Sequence, residues 1–307
     1  MSILVFGHKN PDTDTICSAI AYAELKGKLG KDVKAVRLGE VNEETKFVLD
    51  YFKVEKPELI ESVSGKEIML VDHNERTQTA DGFEEAKVLE LVDHHRISNF
   101  NVDEPLYVRM EPVGCTATII LKLFKENNLL PEPTTAGLML SAIVSDTLLF
   151  KSPTCTGCDV KAGKELAEIA GVNVEEYGLE MLKAGTALGG KSESELINMD
   201  MKIFEVDGSK IGVAQVNTVN EAELLERKEK LLAEINNIIN KEGLKFFIFA
   251  ITNILSNDSI GIVAGDGNAV IEKAFNEKID NNLIALKGVV SRKKQIIPPL
   301  TKAIQEA

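Results

Sequence analysis

Ile3-Leu4-Val5-Phe6, followed directly by Gly7-His8-Lys9-Asn10-Pro11-Asp12-Thr13-Asp14, is the stretch on which the reading of the fold turns. Four consecutive apolar residues without polar alternation suit a strand buried on both faces, and the polar octet behind them marks its carboxyl end. The next segment, Thr15 to Leu29, sets Ile16, Ile20, Ala21, Leu25 and Leu29 at helical spacing. A strand, a polar turn and an amphipathic helix open a βαβ repeat. Further apolar runs at Val33 to Leu38, Ile68 to Val71 and Val88 to Val92, with a helix at Glu43 to Phe52, extend it to a parallel sheet covered by helices. From Thr116 the pattern becomes helical, predicting helices over 116–126, 134–149, 159–170 with Asp159 as N-cap, and 174–184.

Gly185 to Ser194 reads GTALGGKSES, a glycine-rich polar interruption that marks a domain boundary. The expected organisation is a larger N-terminal α/β domain over 1–187, a glycine-containing hinge over 188–194 and a smaller C-terminal α/β domain over 195–307. Strand signals resume at Lys202 to Val206 and Lys210 to Val216, separated by a hairpin-like Asp207-Gly208 turn. Asn220 reads as the N-cap of one long helix ending at Asn240 before Gly243, and further strands are expected at 246–251, 259–264 and 286–290. A helix is expected near 268–276. The stretch GTALGGKS also satisfies the P-loop expression, but a helical pattern precedes it where a P-loop requires a strand, so the hinge reading is kept.

At 307 residues the chain is long enough for two domains. Hydrophobic residues at 44% and charged ones at 27% give ordinary globular composition, which excludes a disordered chain. The balance of 35 Lys and Arg against 48 Asp and Glu leaves a net charge of −13, which disfavours wholesale binding to nucleic acid or to an anionic membrane. The start lacks the basic and apolar regions of a signal peptide, so a cytoplasmic location is expected. Four cysteines are too few for a disulfide scaffold, and Cys155 and Cys158 form a lone C-x-x-C that reads as reduced thiols.

All four histidines lie in three short segments, GHKNPDTD, VDHNE and VDHHR, each directly after an apolar run. That places them at the carboxyl ends of a parallel sheet, where open α/β sheets build their sites. Asp146 joins them, because an unpaired carboxylate in so apolar a helical stretch would be costly. Imidazoles from His8 and His94 with carboxylates from Asp12, Asp14, Asp72 and Asp146 form a mixed N/O donor set that suits Mn²⁺, Co²⁺ or Mg²⁺. Four negative charges call for two divalent ions, about 3.5–4 Å apart, which typically hold a hydroxide for attack on phosphorus. His73, pointing the other way from Asp72 on an extended backbone, reads as structural or as support for a neighbour. An isolated Asp-x-Asp or His-His pair would be background, but four such segments in one register are not. A basic cluster, Ser291-Arg292-Lys293-Lys294-Gln295, reads either as a solvated loop or as a clamp for phosphate oxygens.

The motifs GHKNPDTDTICSAIAYA, VDHNE, VDHHR, EPVGCTATI, LSAIVSDTLLFKSPTCT and SRKKQ together resemble those of family II inorganic pyrophosphatases, in the DHH phosphoesterase superfamily, over nearly the whole chain. The resemblance implies two Mn²⁺ or Co²⁺ ions, one held by His8, Asp12, Asp72 and Asp146 and the other by Asp14, Asp72, His94 and Asp146. It implies that His95 contacts substrate and donates a proton to the departing phosphate. Lys202, Arg292 and Lys293 of the C-terminal domain would bind pyrophosphate and close over the site, with an additional Mg²⁺ arriving with the substrate. A homodimer through the N-terminal domain is implied as well. Related activities on the same metal site are exopolyphosphatase and small-nucleotide phosphodiesterase. His8, where exopolyphosphatases commonly carry Asn, and the absence of any histidine after His95 weigh against them. A metal-dependent sensor of pyrophosphate or nucleotide is the non-enzymatic alternative.

Overall fold

The N-terminal apolar runs pair as the parallel sheet they suggest. β1 (Ile3–Phe6), β2 (Val33–Arg37), β3 (Glu58–Leu59), β4 (Glu67–Val71), β5 (Lys87–Asp93) and β6 (Tyr107–Met110) lie in the order β3-β2-β1-β4-β5-β6, every pair parallel. These positions come from a computed structural model that describes residues 2–306 apart from Ala187. The strand order reverses between β1 and β4, so the turns leaving those two strands diverge and open a crevice at their carboxyl ends. β3 and β6 escape the sequence reading because both lie at the sheet edges, half-exposed and without a continuous apolar run.

One face of this sheet buries Phe6, Val36, Ile68, Leu70 and Leu91 against the loop residues Val63 and Phe83. α1 (Thr13–Lys28) and α3 (Thr116–Glu126) pack against the strands, with α2 (Glu43–Phe52), α4 (Pro133–Thr147), α5 (Gly157–Ala170) and α6 (Val174–Gly185) beyond. α4 touches α1, α2, α3, α5 and α6, which explains a helix that is apolar almost all round. Each of its fully buried Leu and Ile side chains contributes roughly 1.5–3 kcal/mol relative to exposure. Asp159 is not the N-cap of α5. Thr156 caps it, and Asp159 closes the capping box from the third helical position while also accepting bonds from Gly114 N at 2.9 Å and Thr118 Oγ1 at 2.6 Å.

The chain divides between residues 185 and 186 into two compact units. In the second, β7 (Met201–Val206), β8 (Ser209–Thr218), β9 (Phe246–Asn253), β10 (Asp258–Gly265) and β11 (Leu283–Leu286) form a mixed sheet in the order β11-β10-β9-β8-β7. Only β8 and β9 are parallel. Asp207 and Gly208, both at positive φ, make the tight turn between β7 and β8. Along β9, Phe247, Phe249 and Ile251 pack under α7 (Glu193–Asn198), α8 (Glu221–Leu225) and α9 (Lys228–Glu242). Phe246, Ile248 and Ala250 pack on the opposite side with α10 (Asn268–Phe275) and α11 (Ile297–Gln305).

Leu188 is buried in the core of this unit, and Ser192 caps α7 through a capping box with Glu195. Two local expectations change in this unit. The helix expected from Asn220 to Asn240 breaks into α8 and α9 at Arg227, whose guanidinium bonds Glu193 Oε1 and the Lys191 carbonyl. The strand expected over 286–290 is instead β11, because Gly288 at φ +68° turns the chain after Leu286. Among the described residues no helix is long and apolar enough to cross a membrane.

Candidate metal centre

The diverging turns after β1 and β4 meet the ends of α1, α3 and α4, and Asp72 sits where they converge. It follows β4 with φ +58°, a left-handed backbone uncommon outside glycine that Asp tolerates better than most residues. Its carboxylate is 1% exposed and is approached from two sides. His8 Nε2 lies 3.6 Å from Oδ2, and His94 Nε2 lies 3.4 Å from Oδ1. Thr15 Oγ1 donates to Oδ2 at 2.7 Å and Thr116 Oγ1 to Oδ1 at 3.1 Å, so both oxygens are oriented from outside the cluster.

The remaining acids surround this pair of rings. Asp12 caps α1 by accepting from Thr15 N at 2.9 Å and brings its other oxygen to 3.3 Å from His8 Nε2. Asp14, in the first turn of α1, accepts from Thr116 N at 2.7 Å and Ser18 Oγ at 2.5 Å. Asp146, in the last turn of α4, places Oδ2 3.8 Å from His94 Nε2, and that buried oxygen has no hydrogen-bond partner. Asp146, Asp14 and the Cys115 sulfur bring ligand atoms within 4.8 Å of one another, as do His8, Asp12 and Asp72. His8, Asp12, Asp14, Asp72, His94 and Asp146 are thus gathered in one place.

Among the described residues, the acids of this cluster have no cationic side chain other than histidine beside them: no Lys or Arg pairs with any of the four carboxylates, and their only ion-pair partners are histidines. Burial, then the Asp14 charge, push Asp72 up to about 7 against the pull of His94. Burial together with Asp14 and Asp72 holds Asp146 well above the usual carboxylate range. Burial opposes protonation of His94, yet the Asp72 hydrogen bond and the nearby acids override it and push the ring up to about 9. His94 Nδ1 lies 3.1 Å from the Val113 carbonyl, a bond that leaves Nε2 facing the acids as a ligand nitrogen does. Donor types, the orphaned Asp146 oxygen and the fixed ring orientation fit hard or borderline divalent ions held by oxygen and imidazole.

His95 also reaches the cluster, with Nδ1 3.7 Å from Asp72 Oδ1 and the ligand atoms of Asp72, His94 and His95 within 4.8 Å of one another. It is half-exposed, its Nδ1 lies 2.9 Å from buried Asp93 Oδ1, and its backbone N–H donates to the same oxygen. The Asp93 hydrogen bond, outweighing burial, raises its pKa. His73 is buried with Nδ1 3.0 Å from the Val71 carbonyl, and burial pushes it down to about 4. It shares a 320 Å³ cavity beside the centre with His8, Asn10, Asn74 and His95. Thr15, Thr116, Asp93 and Cys115 were not singled out as site residues, although all four lie within a quoted motif.

The basic residues singled out in the sequence lie in the second unit. Lys202 is exposed on β7, and Arg292 begins a short π-helical turn, 292–296, in which Lys293 is exposed. Arg292 pairs with Asp200 Oδ1 at 2.9 Å and has no other acidic partner among the described residues, while its backbone N–H donates to Gln215 Oε1 at 2.8 Å. The cysteines are all free, and GTALGGKS follows α6 and not a strand.

Residues 2–143 match the DHH family, N-terminal domain, and residues 179–303 match the DHHA2 domain. A "Probable manganese-dependent inorganic pyrophosphatase" of Exiguobacterium sp. strain AT1b is 60% identical over 304 residues, 98% of each chain. A protein of the same description from Bacillus cereus is 55% identical over 305 residues, 99% of each. The crystal structure of a Methanococcus jannaschii "putative family II inorganic pyrophosphatase" superposes with a TM-score of 0.63 at 43% identity, covering 99% of this chain and 100% of that one. An exopolyphosphatase-related protein from Bacteroides fragilis shares the fold, with a TM-score of 0.52 at 13% identity over 99% of this chain and 92% of its own. Matches that run almost end to end at 55–60% identity leave this chain no separate family: it belongs to the manganese-dependent, family II inorganic pyrophosphatases of the DHH superfamily.

Proposed function

We propose that the protein hydrolyses inorganic pyrophosphate to two orthophosphates at the centre built around Asp72. The observation that carries this reading is the approach of two imidazole nitrogens to the two oxygens of one buried carboxylate, amid three further acids that no Lys or Arg among the described residues pairs with. His8, Asp12, Asp72 and Asp146 would hold one Mn²⁺ or Co²⁺ ion, and Asp14, Asp72, His94 and Asp146 the other, with Mg²⁺ entering alongside the substrate. Such ions supply acidified water as the nucleophile and part of the positive charge that the diphosphate requires. Thr15 and Thr116 keep the Asp72 oxygens turned inward, and the Val113 carbonyl fixes the His94 ring. His95, whose pKa the Asp93 hydrogen bond raises and which is open to solvent, would donate a proton to the departing phosphate oxygen. Arg292, Lys293 and Lys202 of the second unit bind the diphosphate oxygens and close the site, Arg as a fork and Lys as point charges.

The same reading makes inorganic pyrophosphate the partner, not nucleic acid, and places the protein in the cytoplasm, where nucleotidyl transfer releases that product. Edge strand β6, with Tyr107 and Val108 exposed, supports a homodimer formed through the first unit. The test is phosphate release from pyrophosphate by chelator-stripped protein, given Mn²⁺ plus Mg²⁺ or Mg²⁺ alone, beside tripolyphosphate and a dinucleotide. Fast, Mn²⁺-stimulated release confined to pyrophosphate is expected. Preference for the longer polyphosphate or the dinucleotide would transfer the chain to a sister activity, and bound metal without hydrolysis would make it a sensor.

A further inference from the structure

One acid beside the centre has a different position from the rest. Glu44, in the first turn of α2, extends its side chain between the start of α1 and the end of α4. Its Oε1 accepts from Thr13 Oγ1 at 2.7 Å and from Ser145 Oγ. Thr13 lies between Asp12 and Asp14, and Ser145 directly precedes Asp146. A single carboxylate oxygen therefore joins two backbone segments, far apart in sequence, that carry three of the acids of the centre. Thr13 is fully buried and its hydroxyl lies 3.1 Å from Thr45 Oγ1, which fixes it to α2 a second time. From the other side, Gly185 at the end of α6 is so close that a Cβ there would lie 2.8 Å from both Glu44 Cβ and Oε2. The glutamate is thus held at both ends, with no Lys or Arg partner among the described residues.

We propose that Glu44 is a positioning residue for the metal centre, setting the separation of the Asp12–Asp14 end of α1 from the Asp146 end of α4. The inference rests on the reading that these acids hold metal. Orienting partners of ligating side chains commonly contribute 10–100-fold to metal affinity when they are removed. Glu44 acts one residue away along the backbone, through Thr13 and Ser145, so its proposed effect is on the spacing of the ligands.

The test is Mn²⁺ alone, titrated into chelator-stripped full-length protein by calorimetry, with the melting temperature of the metal-free protein followed in parallel. Glu44→Ala should weaken Mn²⁺ binding by roughly 10–100-fold. Glu44→Gln, which keeps an oxygen acceptor in the same place but removes the charge, should restore affinity to within about threefold. Ser145→Ala, which cuts one arm with little risk to folding, should give a smaller loss of about 3–10-fold, and should add almost nothing to Glu44→Ala in a double-mutant cycle. Gly185→Ala should weaken binding by displacing the side chain without removing its acceptor. Equal losses in Glu44→Gln and Glu44→Ala would show that charge, and not spacing, is at work and would overturn the proposal. So would wild-type affinity in both Glu44→Ala and Ser145→Ala beside a wild-type protein that binds Mn²⁺, a result that leaves the centre itself standing. Failure of the wild-type protein to bind Mn²⁺ would overturn the centre and the proposal together.

Discussion

Manganese affinity should depend steeply on pH, because the metal-free centre keeps protons where the ions would go. His94 is pushed up to about 9 and Asp72 to about 7, and each must give up its proton before it can ligate. Each group therefore multiplies the apparent Kd by 1 + 10^(pKa − pH). Lowering the pH from about 8 to about 6 raises the His94 factor from about 11 to about 1,000 and the Asp72 factor from about 1.1 to about 11. The combined weakening is about 900-fold, or ~4 kcal/mol. The sign follows from protonation competing with the metal: affinity is greatest above both values and falls as pH drops through them. Asp146 and His8, also raised, can only steepen the fall. Competition of the chelator-stripped protein against a calibrated Mn²⁺ chelator measures the Kd, and calorimetry in buffers of different ionisation enthalpy counts protons. Release from His94 and Asp72 together should grow from about one proton per protein at pH 8 to about two at pH 6, with any from Asp146 and His8 in addition. A Kd that changes by less than about tenfold over that range would refute the reasoning, since it would mean that His94 is not held protonated by Asp72.

Two further outcomes follow from single residues. Asp93→Asn should let the His95 pKa fall toward its ordinary value, read by imidazole NMR in the metal-free protein, and should lower pyrophosphate turnover at pH 8 by at least about tenfold; an unchanged titration would remove Asp93 from this role. Asp159→Ala leaves the Gly114 N–H, the Thr118 hydroxyl and the Thr156 cap without their acceptor and should cost roughly 2–4 kcal/mol in denaturant unfolding, with pyrophosphate hydrolysis retained by the folded fraction.

Much of the architecture is legible because its rules are local. Buried parallel strands read as unbroken runs, so β1, β2, β4 and β5 stand out, whereas β6, with Arg109 in a half-exposed edge, carries no such run. The polar segments after those strands advertise the centre because they hold every histidine in the chain. What orients those side chains was not visible there. Thr15 and Thr116 donate to Asp72 from two helices, and hydroxyls this common in helical starts carry no chemical signal of their own. The left-handed backbone at Asp72 and the stacking of α6 on Glu44 are likewise products of packing between distant segments. The split between α8 and α9 has the same origin, since Arg227 leaves the helical path to reach Glu193, which periodicity does not encode.

The crevice between β1 and β4 also governs when the centre can exist. His8 leaves the first strand, and Asp146 does not arrive until the fourth helix. A chain emerging from the ribosome, or one truncated before that helix, lacks the Asp146 carboxylate that faces Asp14 and His94. Such long-range contacts form late and are bought with loop-closure entropy, so ions held there would find their full ligand set only once the parallel sheet has closed. Manganese should therefore act as a brake on unfolding and not as a guide to folding, lengthening the life of the native protein while leaving its rate of formation almost untouched.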